Sequence, residues 1–226
     1  MSPGYRRTLH SLTRSLLRSL GAHPECFQGF PGLKPVRPRE TIVPDEEFEA
    51  VYAIAGPALQ LALLLAREAG LRHATIMHLS MENVDLQNNL VHGRAKAYAS
   101  YSVPLTARLR FKLIYACAGA SDAKEPLLNQ WNRQRKPMHY NSLTCALARA
   151  RKLAAVKTSW GLHDLRRTGA RKLYERTKDI RKVQRFLGHA ALAQSFWYIG
   201  NAGIPLSAAD LETPTTNQTE SEAKIA

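Results

Sequence analysis

The chain has 226 residues, 45% of them hydrophobic, with a formal net charge of +14 and a sequence pI of about 10.0. That apolar share can bury a core, which excludes a wholly disordered chain, and the length holds one ordinary domain plus appendages. The positive charge points to a polyanionic partner, with nucleic acid the first class and an anionic membrane surface the second.

The charge is uneven. From Trp131 to Phe186 there are 16 Lys/Arg against 3 Asp/Glu, whereas the last 26 residues hold one Lys against four acids. A phosphate-binding face needs such a basic segment, and a solvated basic surface shows the same composition. Cys26, Cys117 and Cys145 are odd in number, widely spaced and lack a C-x-x-C pair. They argue against a disulfide framework or a zinc site and fit a reducing cytoplasm. The longest apolar run, around Leu59 to Ala66, is too short to span a bilayer. The N-terminus has arginines but no continuous apolar core, so no secretory signal is read there.

Taken in order, residues 5–20 (YRRTLHSLTRSLLRSL) place Leu9, Leu12, Leu16 and Leu20 at spacings of three and four, with arginines on the other face. This predicts an amphipathic helix that could contact DNA, lie on a membrane surface or pack on its own domain. Residues 21–40, rich in Gly and Pro, read as a linker. Pro44-Asp45-Glu46-Glu47 opens a helix with Asp45 as N-cap and acids in the first turn. Pro57 begins a second helix, apolar through Leu65 and ended by Gly70, and a third short helix follows to about Leu79. The period then changes. Val84, Leu86, Leu90 and Val91 flank Asn88-Asn89 as two short strands around a turn, and Tyr101, Val103 and Leu105 alternate in a third strand. Residues 106–156 read as two helical pieces broken around Gly119 to Pro126. In the second piece Leu143, Ala146, Leu147, Ala150 and Ala154 form an apolar face, with Arg149, Arg151 and Lys152 off it. The fold class is therefore mainly α with a small antiparallel β-sheet or hairpin.

The most informative stretch runs from His163 to Tyr198. His163 and Arg166 form H-x-x-R, and the helix continues to about Arg176 with Ala170, Leu173 and Tyr174 inward. Asp179 caps a helix from Ile180 to Leu187, and Gly188 ends it, so His189 stands just past a helix end. Tyr198 follows nine residues later, beside Trp197, which reads as a core aromatic. Two imidazoles, a guanidinium and a late tyrosine in a basic setting suit attack on a phosphodiester. Singly, each has an ordinary alternative: a buried histidine bonded to backbone, or a tyrosine in the core.

The H-x-L-R, L-G-H and terminal Tyr motifs, in this order and spacing, resemble the C-terminal half of the catalytic domain of tyrosine recombinases, the phage-integrase family. The resemblance covers roughly residues 41–205 and implies the DNA breaking-rejoining catalytic fold there. By the same resemblance, residues 1–40 are the final helix of a core-binding domain plus a linker, with most of that domain missing, and 206–226 a largely disordered tail. Gly70-Leu71-Arg72 resembles the family's first active-site box, which makes Arg72 a phosphate clamp where it would otherwise read as a surface residue. The family often carries an acid three residues after this arginine. Here that residue is Thr75, whose hydroxyl can bond the arginine but cannot pair with its charge. Lys96, 24 residues after Arg72 and between the second and third strands, falls where the family places a catalytic lysine on a β-hairpin. By itself Lys96 would be a solvated turn residue, and Arg94 is the other nearby cation.

The resemblance implies the chemistry. Arg72 and Arg166 supply permanently charged forks for the nonbridging phosphate oxygens, in place of metal ions. Tyr198 is the nucleophile, and because a free phenol has a pKa near ~10 it needs a base, for which His163 is the better candidate. His189 orients the phosphate, and Lys96 protonates the departing 5′-oxygen. The expected function is a site-specific DNA recombinase that integrates, excises or inverts DNA through a 3′-phosphotyrosyl intermediate, without metal, ATP or small-molecule cofactor. A relaxing topoisomerase of the 3′-linked tyrosine kind shares this chemistry. Expected partners are double-stranded DNA, with Arg149, Arg151, Lys152 and Arg167 on its backbone, and three further copies in a homo-tetramer on two DNA sites. No membrane partner is expected, and the location is cytoplasmic at the nucleoid. The alternative is a truncated, recombination-inactive DNA-binding remnant of an integrase, favoured by the missing N-terminal domain and opposed by the presence of all six motif positions.

Overall fold

The computed structural model describes residues 3–21, 23, 41–94, 100–120, 122–131 and 139–199. The chain divides into two compact units, 1–40 and 41–226. In the first, helix α1 spans Pro3–Ser19, and Leu9, Leu12, Leu16 and Leu20 along it and just past its end are all exposed. Most of the expected linker and everything beyond Ile199 lie outside the described residues, as does Lys96.

The second unit is built around α3 (Pro57–Arg67), which follows α2 (Asp45–Ile54). Pro57 fixes the first turn of α3, where its missing N–H costs nothing. Leu59 and the run from Leu61 to Ala66 are buried, so the helix is apolar nearly all round and forms the centre of the core. Beyond it Gly70, at φ +61°, turns the chain while Leu71 N–H bonds back to Leu65 O at 3.0 Å. The expected N-cap of α2 moves by one residue. Pro44 takes that position, and Asp45 instead receives Arg67 and Lys172, from 22 and 127 residues away. Two cations hold that carboxylate, so it does not cap the backbone.

A short helix α4 (His73–Met77) leads to a three-stranded antiparallel sheet of β1 (Val84–Asp85), β2 (Leu90–Arg94) and β3 (Ser100–Pro104), in that order. The Asn88-Asn89 turn is present, with Asn89 at φ 58° and the Asp85 carboxylate accepting from Asn88 N at 2.8 Å. Register pairs Val84 with Val91 and Gly93 with Tyr101. Helices α5 (Ala107–Ala118) and α6 (Tyr140–Leu153) follow, and Leu143, Leu147 and Ala150 of α6 are buried as its apolar face predicts.

Three helices complete the unit: α7 (Leu162–Thr177), α8 (Ile180–Leu187) and α9 (Leu192–Ile199). Asp179 caps α8 by accepting from Arg181 N and Lys182 N, and Gly188 ends it at φ 58°. Ala170, Tyr174, Val183, Leu187 and Ile199 form a second apolar cluster, against which Tyr198 packs. Among the described residues no helix is long and apolar enough to cross a membrane.

Helix α7 crosses α3 closely, and Gly169 marks the seam. A Cβ there would lie 2.0 Å from the Arg67 carbonyl oxygen, a backbone atom that cannot step aside. Gly169→Ala is expected to destabilise the chain by about 2 kcal/mol. A urea titration with an unchanged midpoint would refute this packing.

Candidate active site

His163 and Arg166 are three apart in the first turns of α7 and therefore share a face. Arg166 runs inward and is 0% exposed. Its Nη1 donates to Gly70 O, just beyond α3, and its Nη2 donates to Leu187 O, the last residue of α8, at 2.7 Å. Both acceptors lie at helix C-terminal ends, where unbonded carbonyls carry negative potential. No carboxylate pairs with this guanidinium among the described residues, and its Nε has no partner.

The same Nη2 lies 3.3 Å from His189 Nε2. A guanidinium only donates, so Nε2 must be the acceptor and the ring proton sits on Nδ1. Nδ1 is 3.1 Å from Ser195 Oγ and donates to it. Burial first, then the charges of Arg166 and Arg72, push the His189 pKa down to about 4, so the ring is neutral near pH 7. His163 is the most open of the group, yet its packed part loses enough water, with Arg167 and Arg166 adding their charge, to lower its pKa as well.

Tyr198 sits among these groups on α9. Its ring centroid is 4.9 Å from that of His189 and 5.5 Å from that of His163. The guanidinium carbons of Arg166 and Arg167 lie 5.4 and 5.7 Å from it. Arg72 is the N-cap residue of α4 and half-buried, with Nη1 enclosed and without a hydrogen-bond partner among the described residues. Desolvation and the Arg166 charge lower its pKa, opposed by the phenols of Tyr101 and Tyr198. Arg72, His163 and Arg166 line one cavity of about 480 Å³.

Five of the six predicted residues thus converge, and Lys96 lies outside the described residues together with the Arg94 side chain. Of the cations expected on DNA, Arg151 lines the same cavity, with Nη1 donating to Ser159 Oγ at 3.2 Å. Arg149 and Lys152 are exposed on α6. Arg167 is only 7% exposed and stands against the Tyr198 ring, inside the site instead of on an open face. Ser195 went unrecognised in the sequence. Its signal is a hydroxyl three residues before Tyr198, on the same helical face once α9 is placed.

Residues 43–202 match the model of the phage integrase family. The chain belongs to that family. It is 30% identical over 158 residues to the tyrosine recombinase XerA of Thermococcus kodakarensis, a match covering 68% of this chain and 55% of that protein. The chain therefore spans about half the length of this relative. In fold it is similar to a XerA recombinase crystal structure, with a TM-score of 0.61 at 19% identity, covering 79% of this chain and 64% of that one. It is also similar to a lambda integrase dimer bound to a COC′ core site, with a TM-score of 0.64 at 19% identity, covering 89% and 74%. The fold of this integrase-family chain is mostly helical with a small sheet.

The neutral histidines make stability depend on pH with a definite sign. Because His189 has a lower pKa folded than unfolded, the unfolded chain takes up its proton first as pH falls. Stability from this group is complete above about pH 6.5, its unfolded pKa, and is lost progressively toward pH 4. Urea midpoints measured from pH 7.5 to 5 should fall for the wild type and fall less steeply for His189→Gln. Equal slopes would refute the buried, neutral imidazole.

Proposed function

We propose that this chain is a site-specific DNA recombinase that cuts and rejoins DNA through a 3′-phosphotyrosyl intermediate. The observation that carries the reading is the Tyr198 ring packed near two neutral imidazoles and beside Arg166, a guanidinium that no carboxylate pairs with among the described residues. In the step, Tyr198 Oη bonds to phosphorus as the bond to the 5′-oxygen breaks. His163, held neutral by its surroundings, accepts the phenol proton. Arg72 and Arg166 stabilise the charge that builds on the nonbridging oxygens, and His189 orients the phosphate. Lys96 protonates the departing 5′-oxygen. A second 5′-hydroxyl reverses the step and reseals the strand, so neither ATP nor a metal is called upon.

The partner is double-stranded DNA, with Arg149, Arg151 and Lys152 on its backbone. Lambda integrase is seen as a tetramer bound to a Holliday junction, which supports a tetramer of this chain on two sites. Residues 41–205 are the catalytic domain, 1–40 a helix and linker of the core-binding domain, and 206–226 a tail. The work is done in the cytoplasm at the nucleoid.

The test mixes purified protein with nicked duplexes made from DNA flanking its gene, without added metal, and resolves the products on a denaturing gel. A covalent adduct is expected from the wild type and none from Tyr198→Phe, with Arg166→Ala at least ~10²-fold slower. Binding on a native gel should weaken steeply with salt. DNA shifted on that gel with no adduct on any duplex would replace this reading with a recombination-inactive DNA-binding protein.

A further inference from the structure

Helix α9 has eight residues, too few to be stable alone, so its position is set by what it packs on. Its inward face carries Ser195 at 0% exposure and Ile199, four residues on, at 3%. Ile199 joins the second apolar cluster, as the buried face of a helix should. A serine at the neighbouring buried place loses its water, and a hydrogen-bond partner has to replace it.

Two other hydroxyls on the helices of this unit turn back on their own backbone. Thr168 donates to Asp164 O and Thr177 to Leu173 O, each four residues back and at 2.8 Å. Ser195 instead reaches out of its helix to the His189 ring, with Oγ 3.1 Å from Nδ1. The backbone of His189 is already fixed without that contact. Its N–H donates to Gln184 O at 3.1 Å, and the Gln184 side chain donates to His189 O at 3.0 Å. What these bonds leave open is rotation of the imidazole. Arg166 Nη2 donates to Nε2 at 3.3 Å on one side, and Ser195 Oγ takes the Nδ1 proton on the other. One contact gives a ring a pivot, whereas two at different nitrogens fix its plane. A half-turn of the ring would set carbons against both partners and lose both bonds.

On the recombinase reading above, we propose that Ser195 is a positioning residue for strand cleavage, locking the His189 imidazole in one orientation and tying the helix of Tyr198 to it. Being wholly buried, Ser195 acts through His189 and not on DNA. The same bond does two things, because Tyr198 lies three residues further along α9, with its ring centroid 4.9 Å from that of His189. One hydroxyl therefore sets the imidazole and the phenol relative to each other. Groups held in place beforehand need not be ordered during the reaction.

Ser195→Ala removes the oxygen, adds nothing that could clash and favours the helix. On nicked duplexes it should form the covalent adduct about tenfold more slowly than wild type, with DNA affinity on a native gel unchanged. A readout that needs no DNA is the nitrogen NMR spectrum of histidine-labelled protein near pH 7, with the His189 signals assigned by their loss in His189→Gln. The wild type should show a neutral ring with its proton on Nδ1, visible as a slowly exchanging N–H. Ser195→Ala should lose that proton signal and shift both ring nitrogens. A wild-type adduct rate would overturn the proposal even with a lowered urea midpoint, because Ser195 would then serve stability alone. An unchanged nitrogen spectrum would overturn it too, since a loss of rate would then not run through the ring. Should the wild type form no adduct, the recombinase reading fails separately, and the nitrogen spectra alone decide whether Ser195 holds the ring.

Discussion

A buried, permanently charged guanidinium is the constraint on which the second unit depends. Moving such a charge out of water costs several kcal/mol even after relaxation, and an ion pair is the usual compensation. Arg166 has none. It is accommodated by two backbone carbonyls, one just past α3 and one closing α8, and by the ring nitrogen of His189. Partial charges at helix ends lower the cost of the buried cation without cancelling it. The same contacts set geometry, because one side chain from α7 fixes where α3 ends relative to where α8 ends. Arg72 follows directly from the first of those ends and His189 from the second.

Burial first, and the uncancelled charge after it, set the protonation of its neighbours. An imidazolium beside Arg166 and Arg72 would be a further cation in a poorly hydrated space, so both histidines are held neutral. Neutral imidazoles can accept protons or bond through a fixed tautomer, and Arg166 sets that tautomer for His189, whose Nδ1–H then donates to Ser195 Oγ. The basic residues therefore do two things at once. They make the cavity attractive to a phosphate, and they keep the nitrogen bases beside Tyr198 competent near pH 7. A carboxylate placed in the cluster would weaken both effects, and none pairs with Arg166 or Arg72 among the described residues.

What could be read in the sequence was local. Pro57, Asp179 and Gly188 mark helix boundaries through their own backbone chemistry, and the alternation from Tyr101 to Leu105 marks a strand through its own period. The converging residues were legible through the family resemblance that H-x-L-R, L-G-H and the late tyrosine carry, and Arg72 through that resemblance alone. What escaped was set by distant partners. Asp45 looks like an N-cap until Arg67 and Lys172 arrive from elsewhere in the chain. Arg167 looks like one more surface cation until α9 lays Tyr198 against it. Helix α9 itself, LAQSFWYI, is a short apolar run with no cap signal, which periodicity alone does not separate from a strand. Ser195 and Tyr101 carry no motif, and their meaning comes only from what the fold sets beside them.

The interval between the late motifs follows from the same geometry. Leu187 must be the last helical residue of α8 so that its carbonyl is unspent and can accept from Arg166. Gly188 must then turn at positive φ and also stay free of a Cβ, because the Tyr101 ring occupies that space. His189 comes next and meets the guanidinium from the other side. A helix starting at Leu192 brings its residues three apart onto one face, so the hydroxyl that holds His189 and the tyrosine beside it fall at Ser195 and Tyr198. The nine residues from His189 to Tyr198 are a turn plus the length of helix needed to bring a phenol back over the buried arginine.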